Sequence, residues 1–385
     1  MKERLMGSLI LAFTTVLFLL FHFPVGLGSG VAIPAEAKGN WQAEWERTLK
    51  AAREEGEVMV YAWSRDTHVQ ALREFQKFYP EIKFVYVEGS GSQIGPRLLA
   101  ERRAGKYLAD LYIAGTTTPV EVLLPAKALD PIRPALILPE VADESLWFEK
   151  KFHFADPNKE YVLLNDGTVE TSFIAYNTKL VQPEEFKSNW HLLHPKWKGK
   201  IVAYDPRKRS GAGGPIRFLY FSTKLGPKFV YRLFHEMDIT IGSDGHVMVD
   251  WLATGKYALF LFSAAGDLDK AKRQGLPVDE ISHIEEGAAM HAGAGAVSLI
   301  NQAPHPNAAR VYINWFLSRE GQTAYQKITG RNSLRTDIAK DYLPDWKRIV
   351  PKQGVSYIFA ALPEYSDLAP IRKLITEALE KAGKR

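Results

Sequence analysis

The chain contains no cysteine in its 385 residues. That excludes disulfides, thiolate zinc sites, cysteine nucleophiles and a cysteine-anchored lipoprotein form. A disulfide-free exported chain needs a core large enough to hold by itself. An excess of one charge sign is also missing. Lys and Arg total 49 against 44 Asp and Glu, a formal net charge of +5, and the basic residues are scattered rather than striped. Nucleic acid is therefore not indicated as a partner; the modest positive balance either helps capture an anionic solute or only reflects solubility. Past Phe23 no stretch is long and apolar enough to cross a bilayer. Repeats and low-complexity segments are absent too.

Enzyme signatures are equally scarce. No serine stands in a glycine-x-Ser-x-glycine elbow. Gly-Lys occurs at Gly105-Lys106, Gly199-Lys200 and Gly255-Lys256, never followed by Ser or Thr, so there is no P-loop. His235-Glu236 lacks the second histidine of a zinc helix, and His191 and His194 make a thin metal pair beside Pro195. Glu285-Glu286 reads as a solvated loop. The expectation is a binding protein with no catalytic residues, no metal and no cofactor.

The sequence opens with Lys2 and Arg4, then an apolar run from Leu9 to Phe23, then Ala35-Glu36-Ala37. That is the layout of a secretory signal peptide cleaved near Ala37, which sets residues 1–37 aside and points to the periplasm. Pro24 ends the run at a length short for a membrane span. The remaining length, with 46% hydrophobic and 24% charged residues, suits two globular domains.

Trp41, Trp45, Leu49 and Ala52 share a helical face. Val58–Ala62, Ile82–Val87 and Ala109–Ala114 read as strands separated by helices, the pattern of a parallel α/β sheet. Ligands of such sheets bind beyond the strand C-termini. Ser64, Ser90 and Ser92 lie there, either as ligand contacts or as plain turn residues. Trp63 either stacks on a flat ligand or packs structurally. Further strands are expected at Tyr161–Leu164, Thr171–Tyr176, Ile239–Ile241, Tyr257–Phe262 and Gly293–Ile300, and a helix with a proline-rich turn over Val120–Leu138. A second α/β unit is thus nested in the chain, with the gap between lobes as the default ligand site.

The most informative local feature joins the strand Ile201–Tyr204 to a helix-like run Ile216–Leu225 that ends at Gly226-Pro227. Between them lies Ser210-Gly211-Ala212-Gly213-Gly214. Free N–H groups at a helix start, with no side chains in the way, form an anion site; the alternative is a tight turn without ligand.

Several segments resemble one family. Trp190–Ile201 (WHLLHPKWKGKI) with Asp205-Pro206 and Ser210–Gly213, Ala303–Ala309 with Asn314–Ser318 and Glu320–Gln322, and Glu55–Tyr61 with Tyr79-Pro80 and Ala109-Asp110 are similar to periplasmic substrate-binding proteins of ABC importers, in the branch labelled ferric-iron type. The resemblance implies the two-lobed type II periplasmic binding fold, α/β, with each lobe a mixed, mostly parallel sheet flanked by helices and joined by crossover strands. Lobe 1 is expected over 38–172 and 290–342, lobe 2 over 173–289, and a helical segment over 343–385. It also implies a monomer that traps a small solute by hinge closure and delivers it to an inner-membrane permease driven by a cytoplasmic ATPase. A sensory role presenting ligand to a receptor, iron or iron-chelate binding, and a secreted enzyme are the rivals.

Ferric-binding members carry two adjacent tyrosines in the loop after the strand that matches Ala258–Phe262. Here Ala265 and Gly266 stand there, so a small organic anion fits better than bare iron. By the same resemblance Ser210, Gly211, Ala212 and Gly213 are anion ligands, and Ser243, His246, Ser263 and Ala265 border the same region. His246 otherwise starts a helix. Arg331 either pairs a ligand carboxylate or phosphate or is a solvated surface residue.

Overall fold

The computed structural model describes residues 41–63, 65–170, 173–208, 212–263, 265–281, 285–292, 295–343 and 356–384. The expected leader, Ser64, Ser210 and Gly211 lie outside the described residues.

Helix α1 (Trp41–Glu55) stops at Gly56, which turns the chain with a φ of +76° that only glycine adopts freely. Strands β1 (Glu57–Trp63), β2 (Lys83–Gly89) and β3 (Leu111–Ala114) alternate with α2 (Asp66–Arg73), α3 (Phe75–Phe78) and α4 (Gly91–Arg103). They pair in parallel in the order β2-β1-β3. The helix expected after residue 120 shrinks to a π-helical turn at Pro119–Leu123, followed by β4 (Leu129–Asp130) and a 3-10 turn at Arg133–Ala135. Pro125, Pro131 and Pro134 remove the N–H groups a continuous helix needs. Short α5 (Pro139–Ala142) and β5 (Leu163–Leu164) follow.

The second sheet is built from β7 (Ile174–Asn177), β8 (Ile201–Tyr204), β9 (Thr240–Gly242), β10 (Leu259–Leu261) and β11 (Val278–Glu280), entered through β6 (Thr168–Glu170). Its order is β11-β7-β10-β8-β9, with β10, β8 and β9 parallel and β7 antiparallel to both neighbours. Helices α6 (Gly213–Phe221), α7 (Gly226–Glu236), α8 (Gly245–Ala253) and α9 (Ala265–Arg273) connect these strands. Gly226-Pro227 opens α7 rather than closing α6. Proline fits the first turn of a helix, where its missing N–H has no partner to lose.

Strand β12 (Gly287–His291) leads to β13 (Ala296–Ile300), which returns to the first sheet antiparallel to β3, β4 and β5. Helices α10 (Pro306–Leu317) and α11 (Arg319–Thr329) then pack on that lobe, α10 against α1 and α11 against α2. The C-terminal segment supplies β14 (Ser356–Phe359) as well as α12 (Ala369–Lys381). β14 pairs parallel to β12, and β12 antiparallel to β6, so the segments that pass between the two large sheets form a small sheet of their own. α12 buries Ile371, Ile375, Ala378 and Leu379, one face at helical spacing, against α7 and the second lobe's core.

One expectation about a side chain changes, and a histidine pair gains a structural role. Glu286 is not solvated: it is buried and accepts from the Ser188 hydroxyl and from the Asn189 backbone and side-chain amides, so it staples the 188–189 turn. His191 and His194 each accept a backbone N–H through Nδ1, from Ser188 and Lys196, and so cap successive 3-10 turns. Among the described residues no three His, Asp or Glu side chains converge as a metal-binding group.

Candidate functional site

The parallel order β2-β1-β3 aims the C-terminal ends of β1 and β3 at one edge of the first sheet. A cavity of about 620 Å³ opens there. Trp63 ends β1 and forms one wall; Ala114, Gly115, Thr117 and Thr118 follow β3; Gly91, Ser92 and Pro96 come from the first turns of α4; Glu121 and Val122 come from the π-helical turn. Tyr112 forms part of the lining, and burial raises its phenol pKa, opposed by a Thr118 hydrogen bond.

Close approach shapes this wall. A Cβ on Gly91 would lie 2.5 Å from the Thr118 hydroxyl oxygen, and one on Gly95 2.7 Å from the Thr118 methyl. Glycine at both positions lets α4 lie directly on the 115–118 loop. Ser90 has a capping role: its N–H and its hydroxyl both donate to Gln93 Oε1, at 2.9 Å each. Its oxygen is also 2.9 Å from that of Ser92. Of the two serines Ser92 lines the cavity.

Trp63 is held from three sides. The Tyr86 hydroxyl donates to its carbonyl, the Arg65 guanidinium lies 4.4 Å from its ring centroid, and His68 meets it edge-on at 6.4 Å. His68 is buried, with its Nε2 3.4 Å from the Ile113 carbonyl, and burial lowers its pKa to about 4. Its ring also packs on Tyr325 at 5.7 Å.

Tyr325 leads to Arg331. The Tyr325 hydroxyl donates to Asp166 Oδ2 at 2.8 Å, and Arg331 holds the same carboxylate through Nε and Nη2. Arg331 Nη2 also donates to the Ala292 carbonyl at 2.8 Å. Burial disfavours its charge, but the Asp166 carboxylate outweighs that and raises its pKa. Arg331 thus ties the segment before β6 to the segment after β12, with its guanidinium committed to Asp166.

In the second lobe, parallel β10, β8 and β9 put their following loops on one edge. Ala212 and Gly213 start α6 after β8; the Gly213 carbonyl accepts from Arg217 at 2.8 Å. Ser243 is exposed after β9, and His246 is the second residue of α8, whose cap is Asp244. Ser263 follows β10, next to Phe262, which adopts a φ of +64°, rare for a bulky residue. The Ser263 hydroxyl is buried, with no hydrogen-bond partner among the described residues. Ala265 is the first residue of α9.

Trp63 and Ser92 therefore meet in one cavity, while Ala212, Gly213, Ser243, His246, Ser263 and Ala265 share a strand edge of the other sheet. Tyr112, Thr117, Thr118 and Glu121 were not anticipated. The rule that singled out Ser64 applies equally to the Thr116-Thr117-Thr118-Pro119 run after β3, which could have been read the same way.

A family model for bacterial extracellular solute-binding proteins matches residues 61–323. Solved structures share the fold. A Mannheimia haemolytica ferric iron-binding protein A in an open conformation is 14% identical, with a TM-score of 0.57 over 85% of this chain and 98% of that one. A Bordetella parapertussis putative extracellular solute-binding protein is 16% identical, with a TM-score of 0.57 over 85% and 98%. A Trichodesmium protein solved with iron and citrate is 16% identical, with a TM-score of 0.55 over 86% and 100%. At these identities the likeness concerns the two-lobed α/β fold alone. With the family model spanning most of its length, the chain belongs to the bacterial extracellular solute-binding protein family.

Proposed function

We propose that this protein is the periplasmic solute-binding component of an ABC uptake system, of the ferric-iron-type branch. It captures a small organic solute with an anionic group and hands it to an inner-membrane permease with a cytoplasmic ATPase. The observation that carries the reading is the cavity at the C-terminal ends of β1 and β3, where Trp63 and Ser92 meet. Ligands of open α/β sheets bind at that edge. The matching edge of the second sheet carries the start of α6, whose first turn has no acidic residue, and the positive end of a helix suits an anion. Ala212, Gly213, Ser243, His246, Ser263 and Ala265 belong to that half of the site, together with Ser210 and Gly211. Arg331 acts on the crossing segments rather than on the solute.

In this reading residues 1–37 are removed, lobe 1 takes 38–172 and 290–342, lobe 2 takes 173–289, and the monomer closes about the crossing segments. Ligand contacts from both lobes shift the population to the closed state. A thermal-shift screen of organic acids, phosphonates, polyamines and ferric citrate tests it. The expected result is a raised melting temperature with one solute class. At a hundred-fold excess over Kd the linkage is about 2.7 kcal/mol. Chemical turnover of the stabilising solute would overturn a pure binding role, and stabilisation by ferric citrate alone would move the reading to an iron chelate.

A further inference from the structure

The small sheet β14-β12-β6 divides its side chains between the lobes by face. Paired residues of neighbouring strands share a face: Val169 with Met290, Ala288 with Tyr357, and Met290 with Phe359. These side chains all pack in the first lobe's apolar core. Ala289 and Ile358, paired on the opposite face, belong to the second lobe's core. The sheet is thus a layer that both lobes share.

Strands β6 and β12 carry the chain from the first lobe to the second and back. β14 is a third crossing, because it follows α11 of the first lobe and precedes α12, which packs on α7 of the second. It is fastened on both sides. Towards the first lobe the Tyr357 ring centroid lies 6.2 Å from that of Phe148, and the Phe359 centroid 5.7 Å from that of His153. Towards the second lobe α6 packs on both β12 and β14. The Ala360 N–H donates to the Met290 carbonyl at 2.8 Å and carries the pairing one residue past β14.

Two crossing strands can bend by changing φ and ψ at a few residues each. A third strand in register removes much of that freedom. A twist of β12 must be shared by β14, and apolar side chains on both faces must slide against close-packed cores.

We propose that β14 is a strap across the hinge, which fixes the angle at which the empty lobes rest and limits their swing. This rests on the solute-capture reading above and adds what regulates closure of that site: a narrow range of open states leaves less to order when the solute arrives. Tyr357 and Phe359 are the positioning residues that hold the strap to the first lobe.

The test needs no solute. The chain has no cysteine, so Arg103→Cys in α4 and Lys228→Cys in α7, both at exposed positions, take one spin label per lobe without background. Interlobe distance distributions are recorded for the mature protein and for Tyr357→Leu, Phe359→Leu and Tyr357→Phe. Leucine keeps an apolar side chain and removes the ring contact. The expected result is a broader distribution in both leucine variants and an unchanged one in Tyr357→Phe. Distributions unchanged in both leucine variants overturn the strap. Amide exchange on the protein without substitutions tests the same point independently of how the variants fold. A strap protects the β14 amides as strongly as those of β6, and rapid exchange confined to β14 overturns it. Since both measurements are made without solute, a solute screen that finds no binder counts against solute capture and leaves the strap standing.

Discussion

At the scale of single residues the largest commitment is the Asp166–Arg331 pair. Asp166 is fully buried and receives both Arg331 and the Tyr325 hydroxyl. Removing one partner of such a pair leaves an uncompensated charge, at a cost of about 3–5 kcal/mol. Arg331→Gln should lower the urea midpoint accordingly. The double variant Asp166→Asn/Arg331→Gln should recover much of the loss, because neither charge is then left alone. A double variant no better than the single one would mean that Arg331 stabilises by packing instead. The sequence offered Arg331 only as a ligand contact or a surface residue. Its true partner lies 165 positions earlier, and no local pattern announces a pairing at that separation.

His68 gives a pH prediction. Burial lowers its pKa from 6.5 to about 4, so between those values the unfolded chain takes a proton that the folded chain refuses. Its contribution is intact above pH 6.5 and is lost as pH falls towards 4. Asp110 has the opposite sign. Burial, opposed by hydrogen bonds from Met59 and His305, raises its pKa to about 6, and its contribution is lost as pH rises through that value. The two partly cancel between pH 4 and 6. His68→Gln should therefore lose less stability than the wild type on going from pH 7 to 4.5, by up to about 3 kcal/mol. Denaturant midpoints across that range would reveal it, and parallel profiles for the two proteins would rule it out.

At the scale of elements, the crossing segment after β12 depends on Gly295. A Cβ there would lie 2.1 Å from Asp166 Cγ, a carboxylate already fixed by Arg331 and Tyr325. Gly295→Ala forces that network apart and should cost at least about 1–3 kcal/mol, as overpacking of a well-filled core does. Chemical denaturation would measure it. If the network yields without loss, its rigidity is overstated. Elements were legible where hydrophobic period and breakers agree. β1, β2 and β3 fall close to their apolar runs because each is bounded by a glycine or a turn. Reading failed where one residue serves two signals. Gly226-Pro227 stops a helix as readily as it starts one, and the chain uses it to start α7. Tyr257 falls outside β10, its hydroxyl bonded to Thr240 Oγ1 at 2.9 Å. The cavity was half legible. Trp63 and Ser92 follow from strand ends, whereas Glu121 sits on a π-helical turn that the proline spacing obscured.

At the scale of the whole molecule, the C-terminal segment is structural. A tail expected to be helical supplies the third strand of the crossing sheet, and then a helix whose apolar face completes the second lobe. Arg217 fastens that segment to α6, donating to the Tyr365 carbonyl at 2.6 Å and the Ser366 carbonyl at 3.3 Å. The Lys384 side chain reaches the Ile239 carbonyl at 2.8 Å, just before β9. A chain cut after residue 355 loses β14 and α12 together. The four buried side chains of α12 include Ile371, Ile375 and Leu379, each worth about 1.5–3 kcal/mol when buried. Their loss bares an apolar face of α7 at the same time. Small domains are stable by about 5–15 kcal/mol in all, so the second lobe has no margin for it. The truncated protein should keep the aromatic core of the first lobe, where Phe75, Tyr312 and Trp315 pack on one another. Its second lobe should exchange amide hydrogens freely, with protection confined to segments of the first sheet. Native-like protection across β8 and β10 in the truncated chain would show instead that α12 only covers a lobe able to fold without it.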